Sequence, residues 1–412
     1  MDAATPAVVL GFHHGSLGIA RSLGRLGVPV YGVDEDDAMP AMASRYLRER
    51  LRWDLDGAPA GQTVDFLLAL GERLGQAVLI PTTDPAALLV AEHADVLARR
   101  FRFQRNPPDL IRRFSDKKAL FFLAREHGVP TAGAAFPTSL AEVEAYVASA
   151  AFPVMLKGID GTRLEARTGR KMVIVRSAEE LLRKYREMED PESPNLMLQE
   201  YIPGGDDTIW MFNGYFDERS ECRAAFTGQK LRQYPVHVGA TSLGLQLANP
   251  TVARLTTDFM KAVGYRGILD VGYRYDARDG VYKLLDPNPR IGQTFRLFVD
   301  RHGMDVARCL YLDLTAQPLP AVEPIEGRKW VVENKDFESC VAYRREGQLT
   351  VGQWLASYGG VDEGAWFAWD DPVPFARMAL ELGAKAMAFA RRTIRSRSLA
   401  ASSPVGRPAA GT

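Results

Sequence analysis

Apolar residues near the start of the chain form two short runs, and the residues between them have helical periodicity. Residues 7–10 are Ala-Val-Val-Leu, and residues 28–34 form a second run that ends in an acid. Between the two runs, apolar residues recur at helical spacing from Ile19 to Leu26. Strand, helix and strand in this order predict a parallel sheet covered by helices, and so an α/β fold class. Residues 77–93 repeat the same strand–helix pattern.

The middle of the chain alternates short apolar segments with polar or charged ones. We expect a helix over 116–127, with Ser115 as its N-cap and Gly128 closing its C-terminus. The polar stretch over 158–170 is expected to be a loop. The other elements that the pattern predicts are strands at 152–157, 171–175, 197–202, 210–212, 224–226, 267–275 and 281–285, and helices at 177–189 and 375–394.

Composition and charge are those of an ordinary globular protein and argue against several other classes. Apolar residues make up 46% and charged residues 25%, and 51 Lys and Arg residues balance 51 Asp and Glu residues. Net charge gives no support to a nucleic-acid partner, and we expect none. The three cysteines, Cys222, Cys309 and Cys340, form no CxxC pair, so we expect neither a zinc site nor a disulfide framework. No run approaches the about 18 apolar residues of a membrane helix, and the first residues lack a basic signal region, so we expect a cytoplasmic protein without a transmembrane segment.

The segment 284–290, Leu-Leu-Asp-Pro-Asn-Pro-Arg, carries the strongest chemical pattern in the sequence. Asp286 and Asn288 are two residues apart, so their side chains point the same way on an extended strand. Both offer the hard oxygen ligands that Mg²⁺ prefers. Arg290 lies on the same face if the segment stays extended, and its guanidinium suits phosphate oxygens. These residues predict a site for magnesium and a phosphate group.

This acid-x-Asn-Pro-Arg string, which follows a hairpin, resembles the metal-binding strand of the ATP-grasp superfamily of ligases. The resemblance implies an ATP-grasp fold of α+β modules, preceded by a Rossmann-like domain. It also implies ATP and Mg²⁺ as cofactors, with Mn²⁺ as the alternative metal. By the same resemblance, the residues of the nucleotide site are Lys117 at the α-phosphate, Lys157 at the α- and β-phosphates, Glu200, Tyr201 and Ile202 in the hinge that holds adenine, and Asp206 or Asp207 at the ribose.

Two positions depart from the family pattern at the metal site. Asp286 stands where the family usually has Glu, and Gly272 stands where it has a second metal-binding carboxylate. Asp270 lies two residues before Gly272, hence on the same face of a strand. We therefore expect Asp286, Asn288 and Asp270 as the metal ligands.

The segment 229–235 carries two basic residues that alternate along the chain. Together with Gly239–Ser242 it resembles a segment of ATP-grasp carboxylate–amine ligases, including relatives of D-aspartate ligase. On an extended strand, Lys230 and Arg232 face the same side. We expect both to bind the γ-phosphate or the substrate carboxylate and, with Arg290, to stabilise a tetrahedral oxyanion. The alternative is a solvated strand face.

The resemblance implies a division of the chain into domains. The Rossmann-like domain is expected at 1–108 and the ATP-grasp domain at 109–320. Within the ATP-grasp domain, a small lid is expected at about 130–200 and a large nucleotide and metal subdomain at about 200–320. A C-terminal cap and helix are expected at 321–395, with the cap at 322–372, and a disordered tail at 396–412.

The implied activity is ATP-dependent ligation, in which a small-molecule carboxylate becomes an acyl phosphate and is passed to an amine. Three alternatives stay open: a nucleotide-binding regulator that has lost catalysis, an ATP-grasp carboxylase that uses bicarbonate, and a NAD-dependent enzyme that uses the first unit. The sequence does not decide the oligomeric state, and a homodimer stays open as well.

The turn after the first strand carries glycines and histidines that bear on these alternatives. Gly11, Gly15 and Gly18 have the spacing GxxxGxxG rather than GxGxxG, which favours helix–sheet packing over a dinucleotide site. For His13 and His14 we expect solvent exposure, with a substrate-binding role as the alternative.

Overall fold

The computed structural model describes residues 1–384 and 387. The first sheet has five parallel strands, which are β1 (Ala7–Leu10), β2 (Val30–Asp34), β3 (Leu47–Arg52), β4 (Ala77–Pro81) and β5 (Phe101–Arg102). Its helices are α1 (His14–Gly24), α2 (Ala60–Leu74), α3 (Asp84–Glu92) and α4 (Ala94–Leu97). The strands lie in the order β3-β2-β1-β4-β5, and every residue of the central β1 is buried. The parallel sheet predicted from the strand–helix alternation is confirmed.

Two helices lead from this sheet into the rest of the chain, α5 (Pro108–Ser115) and α6 (Lys117–Glu126). The helix predicted over 116–127 is confirmed, but Ser115 is not its N-cap. Asp116 is the cap, and its carboxylate accepts from the Ala119 N–H at 2.7 Å. Ser115 instead ends α5, where its hydroxyl donates to the Ile111 carbonyl oxygen at 3.2 Å. The cap was misplaced because the sequence pattern did not predict α5.

The second sheet has four antiparallel strands. Its elements are β6 (Ala134–Ala135), α7 (Leu140–Val147), β7 (Val154–Gly158), α8 (Gly161–Thr168), β8 (Met172–Val175), α9 (Ala178–Met188) and β9 (Leu196–Glu200). The strands lie in the order β6-β9-β7-β8. The loop expected at 158–170 is wrong in part, because α8 occupies most of it. Asp160 caps α8 by accepting from the Thr162 and Arg163 N–H groups at 2.9 and 3.0 Å, and Gly169 ends it in the left-handed conformation.

The third sheet has seven strands and carries the hairpins predicted in the second half of the chain. Its strands are β10 (Ile209–Phe216), β11 (Cys222–Tyr234), β12 (Ala240–Gln246), β13 (Gly267–Asp276), β14 (Val281–Asn288), β15 (Lys329–Val331) and β16 (Val361–Gly364), and they lie in the order β14-β13-β10-β11-β12-β15-β16. Its helices are α10 (Pro250–Ala262), α11 (Val306–Leu314), α12 (Glu333–Arg345) and α13 (Val351–Ser357). Phe212 and Tyr273 pack on α5, α6 and α10, whereas Tyr215 and Phe226 pack on α1 and α11. The sheet is therefore covered on both faces.

The segment 322–372, expected as a small cap, contributes strands to this large sheet. Strand β15 pairs with β12, and β16 pairs with β15, so the segment extends the sheet instead of standing apart. Of the helix predicted at 375–394, residues 373–384 are helical, and its remainder and the tail predicted at 396–412 lie outside the described residues. In the described part of the chain, no helix has both the length and the apolarity needed to cross a membrane.

A buried ion pair holds α1 against the segment that follows β16. The Arg21 Nε donates to the Asp371 Oδ2 at 3.0 Å, and the two side chains are 2% and 1% exposed. The same guanidinium donates to the carbonyl oxygens of Ala365 and Trp366 at 3.1 and 2.7 Å. Helix α1 is therefore tied near its C-terminal end to the segment that follows the large sheet.

Candidate active site

A cleft of about 280 Å³ lies between the four-stranded sheet and the seven-stranded sheet. Its walls are apolar and a few charged side chains project into it, as is usual for sites that bind small molecules. Among the residues that line it are Met155, Lys157, Met172, Ile174, Gln199, Glu200, Tyr201, Ile202, Asp206, Ile209, Lys230, Gln233, Leu285 and Asp286.

Two lysines meet at the end of β7. Lys157 lies on the same face of β7 as Met155, which points it into the cleft. The Lys117 Nζ donates to the Ile159 carbonyl oxygen at 3.1 Å, and its charge acts on Lys157. Loss of solvent lowers the pKa of Lys157, Asp286 opposes this effect, and Lys117 adds to it. In the described residues, neither ammonium group forms an ion pair within 4.0 Å.

Lys230, on β11, reaches the same cleft from the large sheet. Its Nζ donates to the Gly239 carbonyl oxygen at 2.9 Å. Burial lowers its pKa, and the charges of Asp270, Asp286 and Asp206 oppose that change. The structure therefore brings Lys230 and Lys157 together around Asp286, as the sequence predicts.

Arg232 does not join Lys230 in the cleft, so the expectation that both face one side is wrong. The register between β11 and β12 shifts between Lys230 and Arg232, which is a β-bulge at Leu231. The bulge breaks the two-residue alternation and turns Arg232 to the other side. There its Nε and Nη2 donate to the Oδ1 and Oδ2 of Asp336, both at 2.8 Å, with the two side chains 8% and 0% exposed. A guanidinium held in this way is part of the scaffold.

The candidate metal ligands lie on β13 and β14. Asp270 is opposite Asn288 in the antiparallel register, and the Asn288 Nδ2 donates weakly to the backbone oxygen and Oδ2 of Asp270 at 3.3 and 3.4 Å. Burial raises the pKa of Asp270, whereas Arg290 and Lys230 oppose the rise. Asp286 is exposed at the cleft. The three predicted ligands thus lie at one end of this strand pair.

Arg290 follows the metal strand and is fixed on two sides. Its Nη2 donates to the Asn288 Oδ1 at 3.0 Å, and its Nε donates to the Asp84 Oδ1 at 3.0 Å. Asp84 is the first residue of α3 in the parallel sheet. Sequence reasoning missed Asp84, since the two residues are 206 positions apart and no local pattern links them.

The predicted adenine hinge lies along the cleft, and the side chain of Glu200 forms hydrogen bonds with neighbouring segments. Tyr201 and Ile202 line the cleft. The Glu200 carboxylate accepts from the Gly133 N–H at 3.0 Å and from the Arg278 Nη2 at 2.5 Å. It therefore links the end of β9 to the turn between β13 and β14.

Of the two candidate ribose acids, Asp206 lines the cleft and Asp207 is exposed outside it. The Gln233 Nε2 donates to the Asp206 Oδ1 at 2.7 Å, and the Tyr343 hydroxyl donates to the Oδ2. Burial and the Asp206 carboxylate raise the pKa of Tyr343. Gln233 and Tyr343 were missed because the contacts join distant segments.

The histidines of the first turn are not on the surface, so the expected exposure is wrong for them. His14 is 7% exposed, and its ring lies 6.2 Å from that of Trp330 and 6.0 Å from that of Trp366. His13 is partly buried and caps α1. Their neighbours include Lys335 of α12, which acts on the pKa of both.

No protein-family model matches the chain. Its sequence is similar to that of a curated D-aspartate ligase of Enterococcus faecium (strain Aus0004), with 24% identity over 321 residues, which are 73% of this chain and 74% of that enzyme. Its structure is similar to that of an L-amino acid ligase from Bacillus licheniformis, with a TM-score of 0.57 and 14% identity, over 79% of this chain and 76% of that one. It is also similar to the biotin carboxylase domain dimer of the Hydrogenobacter thermophilus 2-oxoglutarate carboxylase, solved with MgADP, ADP and bicarbonate, with a TM-score of 0.58 and 17% identity over 78% and 72% of the two chains.

These similarities confirm the ATP-grasp fold that the metal-strand motif implies. The sequence relative and one of these structural neighbours are named as ligases of amino acids.

Proposed function

We propose that the chain is an ATP-dependent carboxylate–amine ligase that works through an acyl phosphate and releases ADP and phosphate. The observation that supports this most is the meeting of Lys157, Lys230 and Asp286 at one cleft. Two cations and a carboxylate facing a common space suit a triphosphate that carries a divalent metal ion.

The two lysines are the phosphate ligands in this proposal. An ammonium group that loses solvent without gaining an ion partner is destabilised, which is why the pKa of Lys157 and that of Lys230 are both lowered. A phosphate oxygen beside each lysine restores the charged form. Lys117 adds a third cation at the end of β7.

The carboxylate of Asp286 and the amide oxygen of Asn288 fit a magnesium ion. The Asn288 Oδ1 accepts from Arg290 and keeps a second lone pair. The described residues contain no cluster of three or more His, Cys, Asp or Glu side chains arranged for a metal. Two protein ligands suit Mg²⁺, which usually completes its shell with phosphate oxygens and water. When bound, the ion neutralises charge on the phosphoryl group that is transferred.

The proposed reaction has two steps. A carboxylate oxygen of the acid attacks the γ-phosphorus of ATP, the bond to the β-phosphate oxygen breaks, and ADP leaves. The amine nitrogen then attacks the carbonyl carbon of the acyl phosphate, phosphate leaves, and the nitrogen loses a proton. In this step Lys230 and Arg290 stabilise the negative charge on the tetrahedral oxygen. Arg232 has no part, because its guanidinium is bound to Asp336.

Amino acids are the first acids to test, since the sequence relative is named for D-aspartate. The acceptor amine belongs to a cell-wall precursor, to a second amino acid or to a natural-product precursor. Bicarbonate is the second candidate acid, because one structural neighbour was solved with bicarbonate and MgADP.

A steady-state assay of ADP release tests the proposal, with amino acids or bicarbonate as acids and a panel of amines. We expect an acid–amine pair to stimulate ADP release, and we expect mass spectrometry to find a product whose mass equals that of the acid plus the amine minus one water. Asp286→Ala and Lys117→Ala should reduce the rate, whereas Asp258→Ala and Lys118→Ala, which alter exposed residues away from the cleft, should not. Full activity in Asp286→Ala, or the absence of stimulation by any pair, overturns the proposal.

A further inference from the structure

The helix over residues 373–384 has two apolar faces, and one of them packs on the body of the protein. Phe375, Met378 and Leu382 recur at helical spacing and form this inner face. Met378 is buried, and Phe375 packs against the core that the large sheet shares with α1 and α11. A surface helix that buries one face usually presents a polar face to water on the opposite side.

The opposite face of this helix is apolar instead. Its large side chains recur at every seventh residue, which keeps them on one side of a helix. Leu380 is 74% exposed and Met387 is 59% exposed. We call this surface the outer stripe, and its members, all exposed, are Val373, Ala376, Leu380, Ala384 and Met387. A continuous row of exposed aliphatic side chains indicates an interaction surface.

A tryptophan in the turn before the helix is exposed as well. Trp369 is 89% exposed, whereas the other tryptophans of the chain are buried or half-buried. Its ring lies edge-on to that of Phe367, with 4.8 Å between the centroids. An indole combines an apolar body with one N–H donor, and for this reason tryptophan is enriched where a membrane meets water.

The sequence that follows the outer stripe is basic throughout. Glu381 is the last acidic residue of the chain. Basic and acidic residues balance over the whole chain, so this end carries a local excess of positive charge. The cations lie outside the described residues and are Lys385, Arg391, Arg392, Arg395, Arg397 and Arg407. An apolar stripe that leads into cations without acids fits a partner that is both apolar and negatively charged.

Two other kinds of partner fit only one of these features. A second copy of the chain would cover the outer stripe, but it would bring the same cations and no counter-charge for them. Nucleic acid would supply phosphates to the cations, but it would leave the aliphatic stripe in water. A membrane with anionic lipids satisfies both, because its acyl chains take up the stripe and its headgroups neutralise the cations.

We propose that the outer stripe, Trp369 and the basic end of the chain hold the protein on the surface of a membrane that contains anionic lipids. The helix lies along the surface, with Leu380 and Met387 at the acyl chains and the cations at the headgroups. A single apolar anchor binds a membrane only marginally, so stable binding needs both features together. This inference goes beyond the proposed ligase activity and does not depend on it.

The test measures co-sedimentation of the full chain with vesicles of phosphatidylcholine, with and without phosphatidylglycerol. Binding should be at least about tenfold stronger to the anionic vesicles, and added salt should weaken it. Leu380→Ser removes the largest aliphatic side chain of the stripe and should weaken binding by about tenfold or more. The double variant Arg391→Gln with Arg392→Gln should have an effect of similar size. Emission from Trp369 should shift to shorter wavelength on the vesicles, and Trp369→Phe should lose that shift.

Matched controls carry the same substitutions at other exposed positions. Leu355→Ser alters a leucine of α13 that is 60% exposed, and Arg344→Gln with Arg345→Gln alters an exposed arginine pair at the end of α12. Both should bind the anionic vesicles as the wild type does.

Three results overturn the proposal. The first is the absence of binding to the anionic vesicles, or equal binding to the neutral ones. The second is binding that Leu380→Ser leaves unchanged. The third is a dimer in sedimentation velocity that Leu380→Ser converts to monomers while the wild type does not bind vesicles, which assigns the outer stripe to a second copy of the chain.

Discussion

Arg290 joins the metal strand to the N-terminal sheet by donating to the Asp84 Oδ1 and to the Asn288 Oδ1, each at 3.0 Å. The guanidinium is 16% exposed and the Asp84 side chain is 42% exposed. Because the guanidinium is held through two of its nitrogens, its donors are already oriented, and the side chain loses little conformational entropy when a substrate binds.

Substitutions of Arg290 and of Asp84 should distinguish the contribution of the arginine's charge from that of its fixed orientation. Arg290→Ala is expected to reduce kcat/KM for ADP release by about 10²- to 10³-fold, as loss of one oxyanion donor does in other enzymes. Asp84→Ala leaves the charge but frees one end, and about a tenfold loss is expected. Asp95→Ala, which breaks an exposed pair with Arg105, is the control and should be neutral. Steady-state kinetics with unfolding curves for each variant provide the measurement, and unchanged turnover in Arg290→Ala contradicts its assigned role.

The ion pair between Arg21 and Asp371 should be important for stability. Asp371→Ala leaves a buried guanidinium without its counter-charge, so the free energy of unfolding should fall by about 3–5 kcal/mol. The neighbouring Arg25–Asp370 pair is the matched comparison, because its side chains are 30% and 43% exposed. Asp370→Ala should therefore cost at most about 1 kcal/mol. Urea unfolding of both variants decides this, and similar losses in the two would argue against the buried pair.

Acid should destabilise the protein partly through His13. Burial, followed by the charge of Arg290, lowers its pKa from 6.5 to about 4. Between these two values the unfolded chain binds a proton that the folded chain does not, so the free energy of unfolding falls as the pH falls. From pH 7 to pH 4.5 the loss due to this ring is about 2–3 kcal/mol.

His13→Asn removes that titration while keeping a cap acceptor. Its free energy of unfolding should change less between pH 7 and pH 4.5 than that of the wild type, by the same about 2–3 kcal/mol. Urea unfolding at both pH values is the measurement. Parallel losses in wild type and variant would show that His13 titrates normally in the folded chain.

The parts of the molecule that depend on local sequence could be predicted. The strand–helix alternation of the first sheet and the metal-strand motif at Asp286 and Asn288 are local patterns, and both indicated the fold correctly. The two-residue alternation of side chains along a strand gave a wrong prediction where one extra residue interrupts it. The bulge at Leu231 separates Arg232 from Lys230, and nothing in the residue types of that strand marks the extra residue.

The partners of the site residues could not be predicted, because they come from distant segments. Tyr343 reaches Asp206 from α12, and Asp84 reaches Arg290 from the first sheet. The burial of His14 has the same origin, since Trp330 and Trp366 cover it from the other end of the chain. Such contacts depend on how the sheets pack, which residue spacing alone does not encode.

Lys157 and the strand of Asp286 and Asn288 are proposed to hold a magnesium nucleotide together. Calorimetric titration of ADP into the wild type, with Mg²⁺ and with EDTA, tests it most directly. We expect ADP to bind, and Mg²⁺ to strengthen this binding by about tenfold or more. The effect of Mg²⁺ should be smaller in Asp286→Ala, and Lys157→Ala should bind ADP more weakly both with Mg²⁺ and with EDTA. ADP binding that is indifferent to Mg²⁺ in the wild type, or the absence of binding, would contradict it.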